Sequence, residues 1–354
     1  MTTYKDAGVD IDAADDAKRA MKDAIDTGDK RVLTSLGSFA ALVEGKFKGY
    51  KQPVLALKME EPGSKQKLAF EHGFVRSICF DTVNHLVNDI AVMGAVPLYV
   101  QDLIICGKLE KSVVTEIVKG FSDACKEQGC VLTGGETTEQ PGVLASGTYA
   151  LAASVVGIVD KPKIIDGSAI KEGDTILSVA SNGLHTNGYT LVRTLMEKDP
   201  ALMESDVAGD TFLAAVMQPH TCYFGALKGL FGDAGLHGLA HITGGGMQGN
   251  IDRILPKGLD ARIDLETVLI PPVFGAIRTA GSVPDADMLK TYNMGVGIAV
   301  VVDPASAETI VTHFREKGHD AYPIGKVVSG HRKVKFEGEL QWNRDSEKTK
   351  TPGH

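Results

Sequence analysis

The stretch that decides the fold runs from residue 78 to residue 105 and reads ICFDTVNHLVNDIAVMGAVPLYVQDLII. In its first part, residues 78–93, the spacing of apolar residues predicts a helix, and Gly94 is placed to end it. Residues 98–105 are then strand-like. Helix-like and strand-like segments alternate along the rest of the chain, so the sequence predicts a mixed α/β (α+β) fold.

Length and composition indicate two domains. The chain has 354 residues, and a domain typically takes roughly 150. The segment around residues 160–172 has the composition of a linker and turn, which divides the chain into residues 1–165 and 166–342. Residues 343–354 are polar and lack periodicity, so we expect a disordered tail there.

Charge and cysteine content narrow the class of protein. The formal net charge of −8 argues against nucleic acid or an anionic membrane surface as the main partner. The longest apolar runs are far shorter than the ~20 residues of a membrane helix, and the residues after Met1 do not resemble a signal peptide. The five cysteines are odd in number and form no C-x-x-C pair, so we expect reduced thiols in a cytoplasmic protein.

The predicted helix at residues 78–93 has an unusual polar face. At about 3.6 residues per turn, Asp81, His85, Asn88 and Asp89 fall on one side. A solvated face of an amphipathic helix explains this pattern, but Asp and Asn are poor helix formers. Clustered carboxylate and amide oxygens are the ligands that Mg²⁺ accepts, usually together with substrate phosphates. Both interpretations remain open.

Three glycine-rich segments are candidate ligand loops. In residues 133–138, TGGETT, two glycines would let the backbone approach a ligand, although a plain turn fits equally. In residues 182–188, NGLHTNG, His185 and Asn187 would lie at a helix N-terminus, which favours an anion. Asn-Gly turn chemistry with a bystander histidine is the alternative. In residues 241–246, HITGGG, three glycines could cradle a phosphate or form a loop without a ligand.

Two lysines could reach a phosphate as point charges: Lys5 in the N-terminal segment, and Lys65 after a turn-forming Pro-Gly-Ser. A disordered terminus also accounts for Lys5. No G-x-S-x-G or H-E-x-x-H motif is present, and the loop at 241–246 is not a Walker A loop. The residues alone therefore predict a two-domain protein that binds Mg²⁺ and phosphorylated ligands without covalent catalysis.

Seven segments, taken in order, resemble the aminoimidazole ribonucleotide synthetase family, also called the phosphoribosylformylglycinamidine cyclo-ligases. The resemblance covers the chain to about residue 336. Each segment alone would be weak, but their order is specific. The segments are YKDAGVD at 4–10, NDIAVMGA at 88–95, GGET at 134–137, IDGS at 165–168, GLHTNGY at 183–189, HITGGG at 241–246 and NMGVG at 293–297.

The resemblance implies an ATP- and Mg²⁺-dependent ring closure in purine synthesis, in which formylglycinamidine ribonucleotide becomes aminoimidazole ribonucleotide. It implies two α/β domains. Residues 1–165 would bind ATP and Mg²⁺ and would pair their sheet into a barrel across a homodimer. In the chemistry that the resemblance implies, the formyl oxygen is phosphorylated to an iminophosphate, an amidine nitrogen attacks that carbon, and phosphate leaves.

The resemblance also implies roles for individual residues. Asp89, Glu136 and Glu60 would bind Mg²⁺, and His185, Asn187 and Lys5 would be catalytic. The candidate nucleotide and phosphate contacts are Gly63, Ser64, Lys65, Asp81, Asn88, Gly134, Gly135, Thr137, Thr243, Gly244, Gly245 and Gly246.

One loop departs from the family pattern. Residues 60–65 read EEPGSK where the family usually has D-G-V-G-T-K. Glu61 adds a negative side chain near a triphosphate, and Pro62 removes a backbone donor. Two alternatives therefore stay open. One is another ATP-using superfamily member, of the selenophosphate synthetase, thiamine-monophosphate kinase or hydrogenase maturation dehydratase type, and the other is a non-catalytic nucleotide-binding dimer.

Overall fold

The computed structural model describes residues 29–34 and 38–342. Contacts within the chain divide it into two compact units. The first contains the described residues up to Ile165, together with His185–Arg193 and Pro219–Gly232. The second contains the remainder of the described chain. Lys5 and the predicted tail at 343–354 lie outside the described residues, and the predicted division between residues 165 and 166 stays a prediction.

The first unit is built on a four-stranded sheet covered by helices. The strands lie in the order β1-β4-β2-β3, in which β2 and β3 are parallel and the other pairs antiparallel. Its elements are β1 (Pro53–Glu60), α1 (Lys65–Glu71), α2 (Val75–Ala91), β2 (Val96–Cys106), α3 (Lys111–Glu127), β3 (Val131–Glu139) and β4 (Tyr149–Asp160).

The two faces of this sheet have different environments. Successive side chains of a strand point to opposite faces. We call the face that carries buried residues such as Ala153 and Val155 the inner face, and the opposite one the outer face. On β1, Lys58 and Glu60 lie on the inner face, while Leu57 and Met59 lie on the outer face and are exposed.

Helix α2 is the element predicted at residues 78–93, and it is buried on more than one side. This burial explains why its polar residues do not form a solvated face. Helix α3 ends in a Schellman motif, in which Cys130 N–H donates to Cys125 O at 2.9 Å and Gly129 has φ of +69°. All five cysteines are free thiols, and only Cys222 is partly exposed.

The second unit is built on a six-stranded sheet in the order β12-β9-β11-β5-β10-β8. Only β12 and β9 pair in parallel among its ladders. The strands are β5 (Thr175–Ala180), β8 (Leu236–His241), β9 (Leu259–Asp264), β10 (Val296–Val302), β11 (Ala321–Ser329) and β12 (Val334–Glu337), with a two-stranded ribbon of β6 (Asp206–Val207) and β7 (Asp210–Thr211).

The helices that follow α3 in chain order are α4 (Tyr189–Lys198), α5 (Phe212–Val216), α6 (Phe224–Leu227), α7 (Gly246–Ile251), α8 (Pro272–Gly281), α9 (Asp285–Thr291) and α10 (Ala307–Glu316). Strand β10, which lies between β5 and the edge strand β8, is buried along its whole length. Strands and helices alternate in both units, so the predicted mixed α/β class is confirmed. In the described chain, every helix is too short or too polar to span a bilayer.

Candidate functional site

Polar residues of α2 bind the backbone of residues 220–221, which belong to the same unit. Asp81 Oδ1 accepts a hydrogen bond from His220 N at 2.6 Å. Asn84 Nδ2 donates to His220 O at 2.8 Å, and Asn88 Nδ2 donates to Thr221 O at 2.8 Å. These side chains therefore bind protein backbone groups that burial would otherwise leave unpaired. The predicted nucleotide contacts of Asp81 and Asn88 stay predictions.

A buried ion pair lies beside this segment. The Lys65 ammonium is 2.9 Å from Asp81 Oδ1 and 2.8 Å from Asp81 Oδ2, and it donates to His185 O at 3.1 Å. Both side chains are 0% exposed. Burial lowers the pKa of Lys65 and raises the pKa of Asp81, and the attraction between the two charges opposes both shifts. Through its hydrogen bond to His185 O, the Lys65 ammonium helps to fix the backbone at His185. The predicted phosphate contact of Lys65 stays a prediction.

Two histidines share one hydroxyl, and a third histidine stacks on one of them. The Thr186 Oγ1 atom lies 3.1 Å from His85 Nδ1 and 3.5 Å from His220 Nδ1. The rings of His185 and His220 are stacked, with centroids 4.0 Å apart. Imidazoles joined through a hydroxyl can hold and pass a proton near neutral pH. The arrangement is therefore suited to proton transfer at a nearby substrate.

The backbone at His185 is strained. Its φ is +60°, a left-handed conformation that costs a non-glycine residue of order 1–3 kcal/mol. Tyr189 OH donates to His185 O at 3.1 Å and helps to hold that conformation. Such strain persists where the surroundings determine it, and it is common at functional sites. Asn187, the next predicted catalytic residue, is half-buried two residues before the start of α4.

The divergent loop at residues 61–64 packs against the same segment. Gly63 has φ of +64°, and a Cβ there would lie 3.1 Å from Thr186 O. Ser64 Oγ is 3.4 Å from Thr190 Oγ1. The Glu61 carboxylate turns back onto its own loop and accepts the Gly63 N–H at 3.1 Å. Glu61 therefore occupies a backbone donor of this loop, and the predicted phosphate contacts of Gly63 and Ser64 stay predictions.

Two predicted metal ligands share one cation. The Lys58 ammonium is 2.6 Å from Glu60 Oε1 and 3.1 Å from Asp89 Oδ2. His85 Nε2 lies 3.7 Å from the same Asp89 oxygen. Burial alone would lower the pKa of Lys58, but Glu60 and Asp89 together raise it. Carboxylates that converge on a positive charge form a donor set that fits a hard divalent cation.

The segment TGGETT lies at the other edge of the sheet. Gly134 has φ of +133°, and the register between β2 and β3 shifts there. Gly135 pairs with Asp102 on the inner face, so the exposed Glu136 lies on the outer face and Thr137 on the inner one. Glu60 and Asp89 are on the inner side, and the structure therefore separates Glu136 from them. Its predicted role as a metal ligand stays a prediction.

Asp102 is a buried acid that the sequence interpretation missed. It lies on the inner face of β2, in one cross-sheet row with Glu60, Ala153 and Gly135. It is 6% exposed, and burial raises its pKa to about 7. A Cβ on Gly135 would lie 2.3 Å from Asp102 Oδ1, so only glycine leaves room for this carboxyl. The signal was an aspartate that alternates with the apolar residues Val100 and Ile104 on one face of the strand.

The glycine loop of the second unit is held by one asparagine. Asn250 Nδ2 donates to Gly246 O at 2.8 Å and to Gly244 O at 3.3 Å, and Thr243 Oγ1 donates to Asn250 Oδ1 at 3.4 Å. Gly244 and Gly245 are exposed. A Cβ at Gly246 would fall 2.0 Å from a carbonyl oxygen of α9. The loop is hydrogen-bonded by Asn250 and open to solvent, and its predicted phosphate contacts stay predictions.

Comparison with known proteins defines the class. Residues 56–159 match the family model described as AIR synthase related protein, N-terminal domain. Residues 171–336 match the corresponding C-terminal domain. Both units thus carry the domains of one class of two-domain proteins.

Curated relatives define the family within that class. The phosphoribosylformylglycinamidine cyclo-ligase of Sorangium cellulosum is 41% identical over 336 residues, which are 92% of this chain and 95% of that protein. The protein of the same name from Chromobacterium violaceum is 42% identical over 334 residues, covering 92% and 94%. The chain belongs to the phosphoribosylformylglycinamidine cyclo-ligase family.

Solved structures with lower identity share the fold. E. coli HypE has a TM-score of 0.65 at 17% identity and covers 92% of this chain and 94% of its own. Thiamine-monophosphate kinase from Stenotrophomonas maltophilia has a TM-score of 0.63 at 17% identity, covering 93% and 97%. A HypE in complex with ATP has a TM-score of 0.64 at 20% identity, covering 90% and 88%.

Proposed function

We propose that this protein is an ATP-dependent cyclo-ligase that converts formylglycinamidine ribonucleotide to aminoimidazole ribonucleotide, ADP and phosphate. The observation that carries the proposal is sequence identity of 41% and 42% with two curated cyclo-ligases, each over 92% of this chain. The solved structures of kinase and HypE type share only the fold at 17–20% identity, so they favour no other substrate.

The chemistry requires activation of a poor leaving group. Transfer of the γ-phosphoryl group to the formyl oxygen makes that oxygen a good leaving group. A nitrogen of the amidine then attacks the formyl carbon, the C–N bond of the ring forms, and the C–O bond breaks. The oxygen leaves within phosphate, and the attacking nitrogen loses a proton. Such a reaction needs positioning and charge neutralisation more than a covalent residue.

The described residues suit these tasks. Mg²⁺ held by Glu60 and Asp89 would neutralise charge on the phosphates of ATP. His185, with Asn187 beside it, would orient the formyl oxygen or take the proton that the nitrogen loses. Asp102, a carboxyl with a pKa near neutrality on the inner face, is a second group that could hold a proton. Lys5 remains a candidate phosphate contact outside the described residues.

Substitution of His185 tests its proposed role. We expect His185→Asn to lower kcat by about 100-fold, the scale of a lost general acid or base. Asparagine tolerates positive φ, so the backbone strain at this position should not increase. The exposed His72 provides a matched control, and His72→Asn should leave kcat unchanged. If His185→Asn lowers the urea midpoint and activity in proportion, His185 is a structural residue.

The outer face of the first sheet supports a homodimer, which we propose as the working form. Leu55, Leu57 and Met59 are 50%, 72% and 69% exposed in a continuous row on β1. An exposed apolar strand face of this kind marks a protein interface. A second copy of this chain would cover it with an identical row, and two such sheets would close into a barrel.

A charge placed in that row should dissociate the dimer. We expect Leu57→Glu to sediment as a monomer at micromolar concentration, because two like charges would be buried at the interface. Leu269, an exposed leucine of the second unit, provides the control variant Leu269→Glu, which should sediment as the wild type does. A dimer that survives Leu57→Glu unchanged would place the interface elsewhere.

Turnover tests the proposed function. The purified protein is mixed with formylglycinamidine ribonucleotide and Mg-ATP, and ADP and the aminoimidazole product are followed together. We expect equal, substrate-dependent release of both. Release of ADP without the imidazole would indicate a different substrate, and nucleotide binding without turnover would indicate a non-catalytic dimer.

A further inference from the structure

The carboxylates of Glu60 and Asp89 are held together by a residue of this chain. Two carboxylates that share a site repel each other unless a positive charge lies between them. Here the Lys58 ammonium supplies that charge, at 2.6 Å from Glu60 Oε1 and 3.1 Å from Asp89 Oδ2. The three residues come from the last turn of α2 and the end of β1, on the inner face.

Lys58 and a divalent ion would compete for the same oxygens. Mg²⁺ binds carboxylate oxygens at roughly 2.1 Å and demands near-octahedral geometry. An ammonium already in contact with both carboxylates leaves no room for that ion between them. The Lys58 side chain is 37% exposed, and its four-carbon stem is flexible, so it can swing into solvent. Binding of the ion therefore requires displacement of the lysine.

We propose that the Lys58 ammonium is the resident cation of the Glu60–Asp89 pair. In the absence of metal it holds the two carboxylates together, and it weakens divalent-ion binding by direct competition for their oxygens. The inference rests on the proposed metal site and adds a residue that sets its affinity. Lys58 acts through Glu60 and Asp89 and is thus a positioning residue.

Mn²⁺ binding to the full-length protein tests this proposal without substrate or nucleotide. Free Mn²⁺ is measured by its electron paramagnetic resonance signal during titration. We expect Lys58→Gln to bind Mn²⁺ at least tenfold more tightly than the wild type, because the competing charge is gone. Lys58→Arg keeps that charge and should bind as weakly as the wild type.

Two further variants test whether the gain in Mn²⁺ affinity arises at Glu60 and Asp89. Lys67 forms an ion pair with Glu71 at 2.9 Å in the same unit, so Lys67→Gln removes an equivalent charge away from the site and should not change Mn²⁺ affinity. Lys58→Gln combined with Asp89→Asn should lose the tenfold gain. The proposal is overturned if Lys58→Gln binds no more tightly than the wild type, or if Lys67→Gln gains equally. Because no turnover is measured, these outcomes are independent of whether the protein makes aminoimidazole ribonucleotide.

Discussion

Replacing Lys65 with methionine is expected to lower the free energy of unfolding by about 3–5 kcal/mol, the usual cost of removing one partner of a buried ion pair. The Asp81 carboxylate would keep its hydrogen bond from His220 N but lose the ammonium that contacts both its oxygens. Both side chains are 0% exposed, so water cannot replace the lost partner. Urea unfolding followed by far-UV circular dichroism measures the change.

Two controls separate the charge from the loss of packing. Lys65→Met combined with Asp81→Asn should be more stable than Lys65→Met alone, because the uncompensated charge is gone. Lys67→Met removes an exposed i,i+4 ion pair with Glu71 and should cost about 0.5 kcal/mol or less. A Lys65→Met protein within 1 kcal/mol of the wild type, about the error of such a comparison, would contradict the assignment of this pair as a structural support of the site.

The second large effect is the pH dependence of the free energy of unfolding that Asp102 produces. Its pKa is about 7 in the folded protein and about 3.9 in an unfolded chain. Between these values the folded state binds more protons, so the contribution of Asp102 to stability falls as pH rises from about 4 to about 7. At 1.36 kcal/mol per pKa unit the loss is of the order of 4 kcal/mol.

The variant Asp102→Asn isolates that contribution. An amide does not titrate, so the stability of the variant relative to the wild type should increase as pH rises through this range. Urea midpoints measured in parallel from pH 4.5 to pH 8 give the comparison. A difference between the two proteins that does not change with pH would contradict the raised pKa. A more stable variant with lower turnover would show that the wild-type carboxyl is kept for function at a cost in stability.

Local patterns were sufficient to predict the elements that carry the site. The helix expected at residues 78–93 is Val75–Ala91. Gly94, which was predicted to end it, has φ of +79° and lies in the turn that follows the helix. The strand expected at residues 98–105 lies within β2, Val96–Cys106. Apolar spacing and glycine placement determine such features over a few residues, so they can be predicted from the sequence.

Contacts between distant residues could not be predicted in this way. The polar side of α2 was interpreted as a ligand face or a solvated face, but Asp81 and Asn88 bind backbone more than 130 residues away. Helical periodicity shows which residues share a face and gives no information about which segment covers it. The same limit applies to the contact of Lys65 with His185.

Strand register explains the position of Glu136. Simple alternation from the buried Leu132 would place Glu136 on the inner face with Glu60. The extra residue at Gly134 shifts the register between β2 and β3, and a shift of one residue moves every following side chain to the opposite face. Lys58 was overlooked for a different reason. Its ammonium reaches both carboxylates only because α2, which carries Asp89, packs near β1, which carries Lys58 and Glu60.

If the formyl oxygen is phosphorylated, it leaves the substrate within phosphate, and isotopic labelling follows it. Formylglycinamidine ribonucleotide labelled with ¹⁸O in the formyl group is turned over with Mg-ATP, and the phosphate and the aminoimidazole product are analysed by mass spectrometry. We expect one ¹⁸O atom in each phosphate released and one aminoimidazole ribonucleotide for each ADP. Unlabelled phosphate, or ADP formed without the imidazole, would contradict it.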